Sequence, residues 1–202
     1  MVSGTPNVNY VSSGVLVPVA LAGDPALEFC NTFAGWGEDS GREYLLSFEH
    51  LAVWAGERGL VAAGQATQIA RDARTSPKEA ARVLERATHL RAAFYAVAVG
   101  EAIDEDRAAV AREAERAAAS ARLEWGPQGA GWVLPATLEL PLLAVARCIG
   151  SFVTDPVRVG RCTGRVCGWL FADPRGRRRW CSMATCGNRA KARRYAARAA
   201  GR

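Results

Sequence analysis

Four of the chain's six cysteines, Cys162, Cys167, Cys181 and Cys186, fall within 25 residues in the spacing C-x4-C-x13-C-x4-C. Thiolates are soft ligands. Two pairs joined by a hairpin-length insert can supply the four vertices of a tetrahedral Zn²⁺ site, each pair from one bend of the chain. The gaps within the pairs are wider than the common two residues. Gly164, Gly168 and Gly187 stand beside the thiols, where a chain wrapping an ion often needs positive φ. The competing reading is four buried thiols or redox pairs. Cys30 and Cys148 sit in apolar surroundings and read as small core residues.

Charge gives this segment a partner. From Arg158 to Arg202 there are 13 Lys and Arg against one acid, Asp173, a net of +12. The preceding residues carry 13 basic and 19 acidic groups, so an acidic body is joined to a strongly basic tail. Such an asymmetry favours a polyanion as the tail's ligand. A helix over 188–200 would place Lys191, Arg194 and Arg198 in one row for successive phosphates, with Arg189 and Arg193 on nearly the opposite side. Ala192, Tyr195 and Ala199 form the expected packing stripe. The run Arg177, Arg178 and Arg179, with Arg175, adds contacts from a turn. Arg189 could instead brace backbone carbonyls, and Asn188 could cap the helix, bond a ligand thiolate or read adenine. The bland alternative is a basic helix that only aids solubility.

The elements that must hold these groups follow from pattern. The insert 168–180 reads as a strand, a Pro-Arg-Gly turn and a returning strand, with Trp169, Phe171 and Trp180 forming an apolar patch under the metal. So short a tail buries little core, and the ion is expected to supply the missing stability. Residues 1–14 are polar and turn-rich, a mobile lead-in. Residues 17–33 read as two short apolar elements around a turn at Gly23-Asp24-Pro25. Helices are expected over 47–60 with Ser47 as cap, and over 76–100 with a Ser76/Glu79 capping box, Pro77 at the first position and Gly100 at the end. Val83, Leu84, Ala87, Leu90, Phe94 and Val97 make the core face of the second. A further helix spans about 104–120, a Trp-containing hairpin 121–136, and an apolar helix 137–155 with Pro141 in its first turn. The boundary is placed at 155/156. The fold class is therefore α+β: an α-rich N-terminal domain (15–155) with a small hairpin, then a four-cysteine β-hairpin and C-terminal helix (156–202).

The residues Cys186-Gly187-Asn188-Arg189, within "CSMATCGNRAKARRY", resemble the signature of the CGNR-type zinc finger, and "CGWLFADPRGRRRWC" is similar to that family's first half. "LEFCNTF" (27–33) resembles the Asn-Thr motif of the ABATE domain that usually accompanies it. The resemblance implies that the four cysteines are zinc ligands, that the body is an α-rich α+β domain, and that the chain belongs among stress-induced transcription regulators. It also favours double-stranded DNA over RNA.

No P-loop, dinucleotide fingerprint or His-Glu metal motif occurs, and His50 and His89 lie in helical patterns with no Ser-x-Gly or Asp-His setting nearby. The expectation is a non-enzymatic DNA-binding regulator whose body senses a small-molecule effector or mediates assembly, a homodimer included. Asn31 and Thr32, the one polar pair in an apolar motif, either line a ligand pocket or satisfy a buried turn. Two rivals remain: the finger as a structural or protein-interaction module, and the body as an enzyme. "GVLVPVALAG" (14–23) is not preceded by Lys or Arg, which argues against a signal peptide and for a cytoplasmic protein with no membrane association.

Overall fold

The computed structural model describes residues 8–37, 41–127 and 129–200, and these group into two compact units. One contains residues 45–156 with 12–15. The other gathers three stretches, of which 8–11 and 16–44 (described at 16–37 and 41–44) are near neighbours and 157–200 lies far off in sequence.

The larger unit is helical. It holds α2 (Phe48–Glu57), α3 (Ala63–Asp72), α4 (Pro77–Val99), α5 (Asp104–Ser120) and α6 (Leu140–Thr154), with α4, α5 and α6 packed on one another and α2 against α3, α4 and α6. The expected periodicity supplies its core: Val83, Ala87, Leu90 and Phe94 of α4 are buried, and Phe94 meets Phe152 of α6 edge-on at 5.4 Å between ring centroids. Leu84 and Val97 are only half-buried. Arg86 Nε and Nη2 donate to the two carboxylate oxygens of Glu113 at 2.9 and 2.7 Å, and Nη1 donates to Glu139. Gly100 ends α4 in the left-handed conformation at φ 77°. The capping box does not form. Glu79 N–H is satisfied by the Ser76 carbonyl at 3.1 Å, so the serine hydroxyl has no donor to receive. α3 leaves little mark in the sequence, because only Ala66, Ile69 and Ala70 form its buried face and alanine carries little periodic signal.

A hairpin of β5 (Arg122–Gly126) and β6 (Gly129–Val133) forms where expected, pairing Leu123 with Trp132 and Trp125 with Ala130. Its aromatics are not core: Trp125 is 82% exposed and Trp132 62%.

β1 (Asn9–Ser12) and β2 (Val15–Pro18) pair as a hairpin, of which residues 9–11 and 16–18 belong to the smaller unit. Residues 9–12 are thus a strand where a mobile lead-in was expected; 1–7 lie outside the described residues. The Asp24 carboxylate caps α1 (Pro25–Cys30), accepting from the N–H groups of Ala26 and Leu27 at 2.8 and 3.4 Å, with Pro25 at the first position. β3 (Phe33–Ala34) pairs with β4 (Arg42–Glu43), and β7 (Val159–Arg161) with β8 (Leu170–Ala172), both antiparallel. The insert is therefore not a self-contained hairpin. β8 turns back on a strand that precedes the first cysteine, and residues 177–180 form no strand because the Asp173 carboxylate takes the N–H groups of Arg177 and Arg178 at 3.0 and 3.1 Å. α7 (Asn188–Ala200) follows a single π turn (Met183–Gly187).

What joins the three stretches is backbone hydrogen bonding to β8 and the cysteine loops. On the edge of β8 away from β7, the Asn31 amide donates to the Leu170 carbonyl at 2.9 Å and accepts from the Leu170 N–H at 2.8 Å. One residue pair further on, Ala172 N–H donates to the Ala22 carbonyl at 2.7 Å. A side-chain amide and one carbonyl thus stand where a neighbouring strand would be. No helix among the described residues is long and apolar enough to cross a membrane.

Candidate metal centre and nucleic-acid interface

The first cysteine pair sits where β7 gives way to a loop, and Cys162 N–H still bonds the Trp169 carbonyl at 2.8 Å. Of the second pair, Cys181 lies just before the π turn that leads into α7 and Cys186 lies within it. Thr163 ties the two loops together, its N–H and its hydroxyl each donating to the Arg179 carbonyl at 3.1 Å. A further bond, Gly35 N–H to the Cys167 carbonyl at 2.8 Å, anchors the first loop to the N-terminal stretch. Beneath lie Trp169, Phe171 and Tyr44, buried, with Trp180 half-buried beside them. Trp169 Nε1 donates to the Phe33 carbonyl at 3.0 Å.

These constraints bring the four sulfurs within 4.8 Å of one another. Cys181 Sγ lies 3.7 Å from both Cys167 Sγ and Cys186 Sγ. A tetrahedral ion with Zn–S near 2.3 Å places its sulfurs about 3.8 Å apart, so the donor set fits Zn²⁺ in type and spacing. Gly164 N–H points at Cys162 Sγ at 3.4 Å, a donor suited to a charged sulfur. Position 164 must also be glycine for space, since a Cβ there would stand 2.8 Å from Cys186 Sγ and 3.3 Å from Cys162 Sγ. Positive φ occurs at Gly168 (68°), not at Gly164 or Gly187, and Val166 adopts it as well (57°). None of the six cysteines forms a disulfide; Cys30 is buried and Cys148 half-buried.

Four thiols this close cannot all ionise without a cation. Hydrogen bonds from Cys167, then Cys181 and Cys186, hold the Cys162 thiol far below the ordinary range. Cys167 and Cys181 are pushed far above it, in both cases chiefly by Cys162. A dication replaces the protons that those two retain.

The basic residues separate into two kinds. Arg178 is a brace: Nη2 donates to the carbonyls of Leu21 and Cys181 at 3.1 and 2.8 Å, and its guanidinium covers the Phe171 ring at 4.1 Å. The bracing role weighed for Arg189 thus belongs to Arg178. Arg177 and Arg179 are exposed, Arg179 lying 5.8 Å from the Trp180 ring centre. In α7 only Ala190 is buried. Arg189, Lys191, Arg193, Arg194 and Arg198 are all exposed, and Lys191, Arg194, Arg198 and Tyr195 line one shallow depression. The Ala192/Tyr195/Ala199 stripe is not a packing face, since Tyr195 is 73% exposed. The reason is length: after its first turn α7 runs past the small core, and among the helix's described residues only Ala190 is buried. Asn188 Nδ2 donates to the Ala184 carbonyl at 3.2 Å, joining α7 to the π turn.

Asn31 and Thr32 make the hydrogen bonds of a buried turn. Both are fully buried, Asn31 holding β8 as described and the Thr32 hydroxyl donating to the Phe29 carbonyl at 2.6 Å.

Comparison with known families agrees with this geometry. Residues 23–156 match the ABATE model, described as "Putative stress-induced transcription regulator". The chain belongs to the ABATE family. Residues 158–199 match the CGNR zinc finger. No curated protein matches the chain. The ABATE match and the compact units divide the chain differently, because ABATE residues 23–44 fall in the unit that carries the cysteines.

Proposed function

We propose that the protein is a non-enzymatic, zinc-dependent regulator that binds double-stranded DNA through α7 and the exposed arginines of the preceding turn. The observation that supports this most is the exposure of every side chain from Lys191 to Ala200 on a helix rooted at the metal centre. A free-standing helix is about 10–12 Å across with its side chains. The major groove of B-form DNA is about 12 Å wide and admits a helix, whereas the deep major groove of A-form RNA does not.

Zinc, when bound by Cys162, Cys167, Cys181 and Cys186, supplies Lewis-acid neutralisation of the thiolates and a rigid cross-link between the loops. The chain's own residues do the rest. Gly164 leaves room for the sulfurs, Arg178 and Asp173 shape the turn, and Asn188 fixes the start of α7. Lys191, Arg194 and Arg198, with Arg189, Arg193, Arg177 and Arg179, then meet phosphates. Contacts to phosphate position the helix without choosing a sequence.

The test is retention of the zinc-loaded protein on duplex DNA across a salt series, with a chelated arm and a Lys191→Ala/Arg194→Ala/Arg198→Ala arm. Affinity is expected to fall steeply with salt, with a log–log slope of about −0.9 per phosphate neutralised. The triple variant should flatten that slope by about 3. Retention that ignores salt, chelation and the triple variant sinks the proposal and favours a protein-interaction role for the finger.

A further inference from the structure

A cavity of about 190 Å³ opens beside the metal centre, and it belongs entirely to the smaller unit. Trp169, Cys181 and Cys186, all buried, form its floor. Tyr44 stands on one wall, Val8 and Val166 add apolar surface, and the exposed Arg42 and Arg189 mark the mouth. No carboxylate among the described residues lines it.

Its chemistry is specific. The Arg42 guanidinium carbon lies 5.2 Å from the Tyr44 ring centre, within cation–π reach. The Tyr44 hydroxyl accepts from Asn9 Nδ2 at 3.4 Å, which leaves its own proton to donate. Neither Arg42 nor Arg189 is ion-paired within the described residues. Val166 holds φ 57°, a conformation that β-branched residues rarely tolerate and that persists where its surroundings enforce it. Two guanidiniums and a phenol around an aromatic floor make a receptor for an anion with an apolar body.

We propose that this cavity binds a small aromatic or similarly apolar carboxylate. The tetrathiolate sets the orientation. With Zn²⁺ bound it carries two negative charges, so the carboxylate faces outward between Arg42 and Arg189 while the ring lies inward on Trp169. Size sets the class. The cavity is smaller than the roughly 300–1,000 Å³ of sites for drug-sized ligands, which fits a single ring system and excludes a nucleotide. The ligand does not coordinate the metal, because four thiolates already close its shell. Arg189 also lies in the first turn of α7, so an occupied cavity withdraws one cation from the nucleic-acid surface; that consequence, unlike the cavity itself, rests on the proposed function.

The experiment is calorimetric titration of the zinc-loaded full chain, without DNA, using benzoate, indole-3-acetate, benzamide, acetate and inorganic phosphate. Saturable binding of benzoate or indole-3-acetate is expected, with benzamide, acetate and phosphate at least tenfold weaker. Arg42→Met should weaken the aromatic carboxylate at least tenfold, about 1.4 kcal/mol, while zinc content stays unchanged. Arg42→Lys should recover part of the loss by restoring the charge. The proposal fails if neither aromatic acid binds, if benzamide or phosphate binds as well as benzoate, or if Arg42→Met leaves the affinity unaltered. Because DNA is absent, failure here leaves the nucleic-acid reading standing, and the reverse holds too.

Discussion

The two compact units solve the same stability problem by different means. The helical unit runs almost continuously from 45 to 156, and its helices bury faces written into local periodicity, such as Val83, Ala87, Leu90 and Phe94. The smaller unit has no such supply. It collects short pieces from 8–11, 16–37, 41–44 and 157–200, closes β8 with the Asn31 amide instead of a strand, and gathers four sulfurs that cannot all ionise without a cation. Apolar area stabilises the first. Directed bonds and a cation stabilise the second. Where apolar material is scarce, side-chain hydrogen bonds and metal coordination become the fold.

The largest effect should come from the ion. Structural zinc contributes apparent binding energies of about 10–16 kcal/mol in small fingers, so chelation or Cys181→Ser should unfold the smaller unit while leaving the helical one folded. Far-UV dichroism would then keep most of its helical signal as near-UV tryptophan signals collapse. Simultaneous loss of both would erase the contrast between the units. The same logic gives a pH dependence. Cys167 and Cys181 hold their protons strongly in the absence of metal, so zinc must displace them. Affinity should therefore rise with pH and fall on acidification, as a competition titration with a chromophoric chelator would reveal.

Phe94→Ala probes the other side. Truncating a buried phenylalanine typically costs about 3–5 kcal/mol, and Phe94 is fully buried. Denaturant unfolding followed by dichroism should report that loss, with zinc stoichiometry unchanged. Asn31→Ala should cost the smaller unit about 2–3 kcal/mol, because it strands the Leu170 N–H and carbonyl in a buried setting. A zinc-affinity titration should register it, and the helical unit's unfolding should not move. The smallest effect is expected at Arg86→Ala. Hydrogen bonding to Glu113 raises the guanidinium's pKa, yet the pair stays partly solvated and such bridges contribute about 1 kcal/mol or less. A loss well beyond that would show that ion pairing, and not apolar packing alone, holds the helical unit.

Legibility in the sequence followed the range of the interactions. The cysteine block could be read because metal chemistry demands particular residue types at short spacing, and α4, α5 and α6 because helical burial repeats within a few residues. Asn31 was conspicuous as a polar residue in an apolar motif, but its partner lies 139 positions away, and spacing carries no sign of that. Arg178 and Arg189 look alike in a basic run, yet one grips two carbonyls and the other lines a cavity mouth. Ala192, Tyr195 and Ala199 share a stripe by spacing, yet Tyr195 is 73% exposed.

By itself, then, the chain's order of residues determined the ligand set, the helices and the split between acidic body and basic tail, since each depends on neighbours along the backbone or on summed charge. Tertiary structure alone decided that the Asn-Thr motif clasps the finger's strand, that β8 pairs backwards to β7, and that Arg42, Tyr44, Trp169 and Arg189 surround one cavity. Those outcomes depend on which distant groups reach one another once backbone donors and acceptors must all be satisfied.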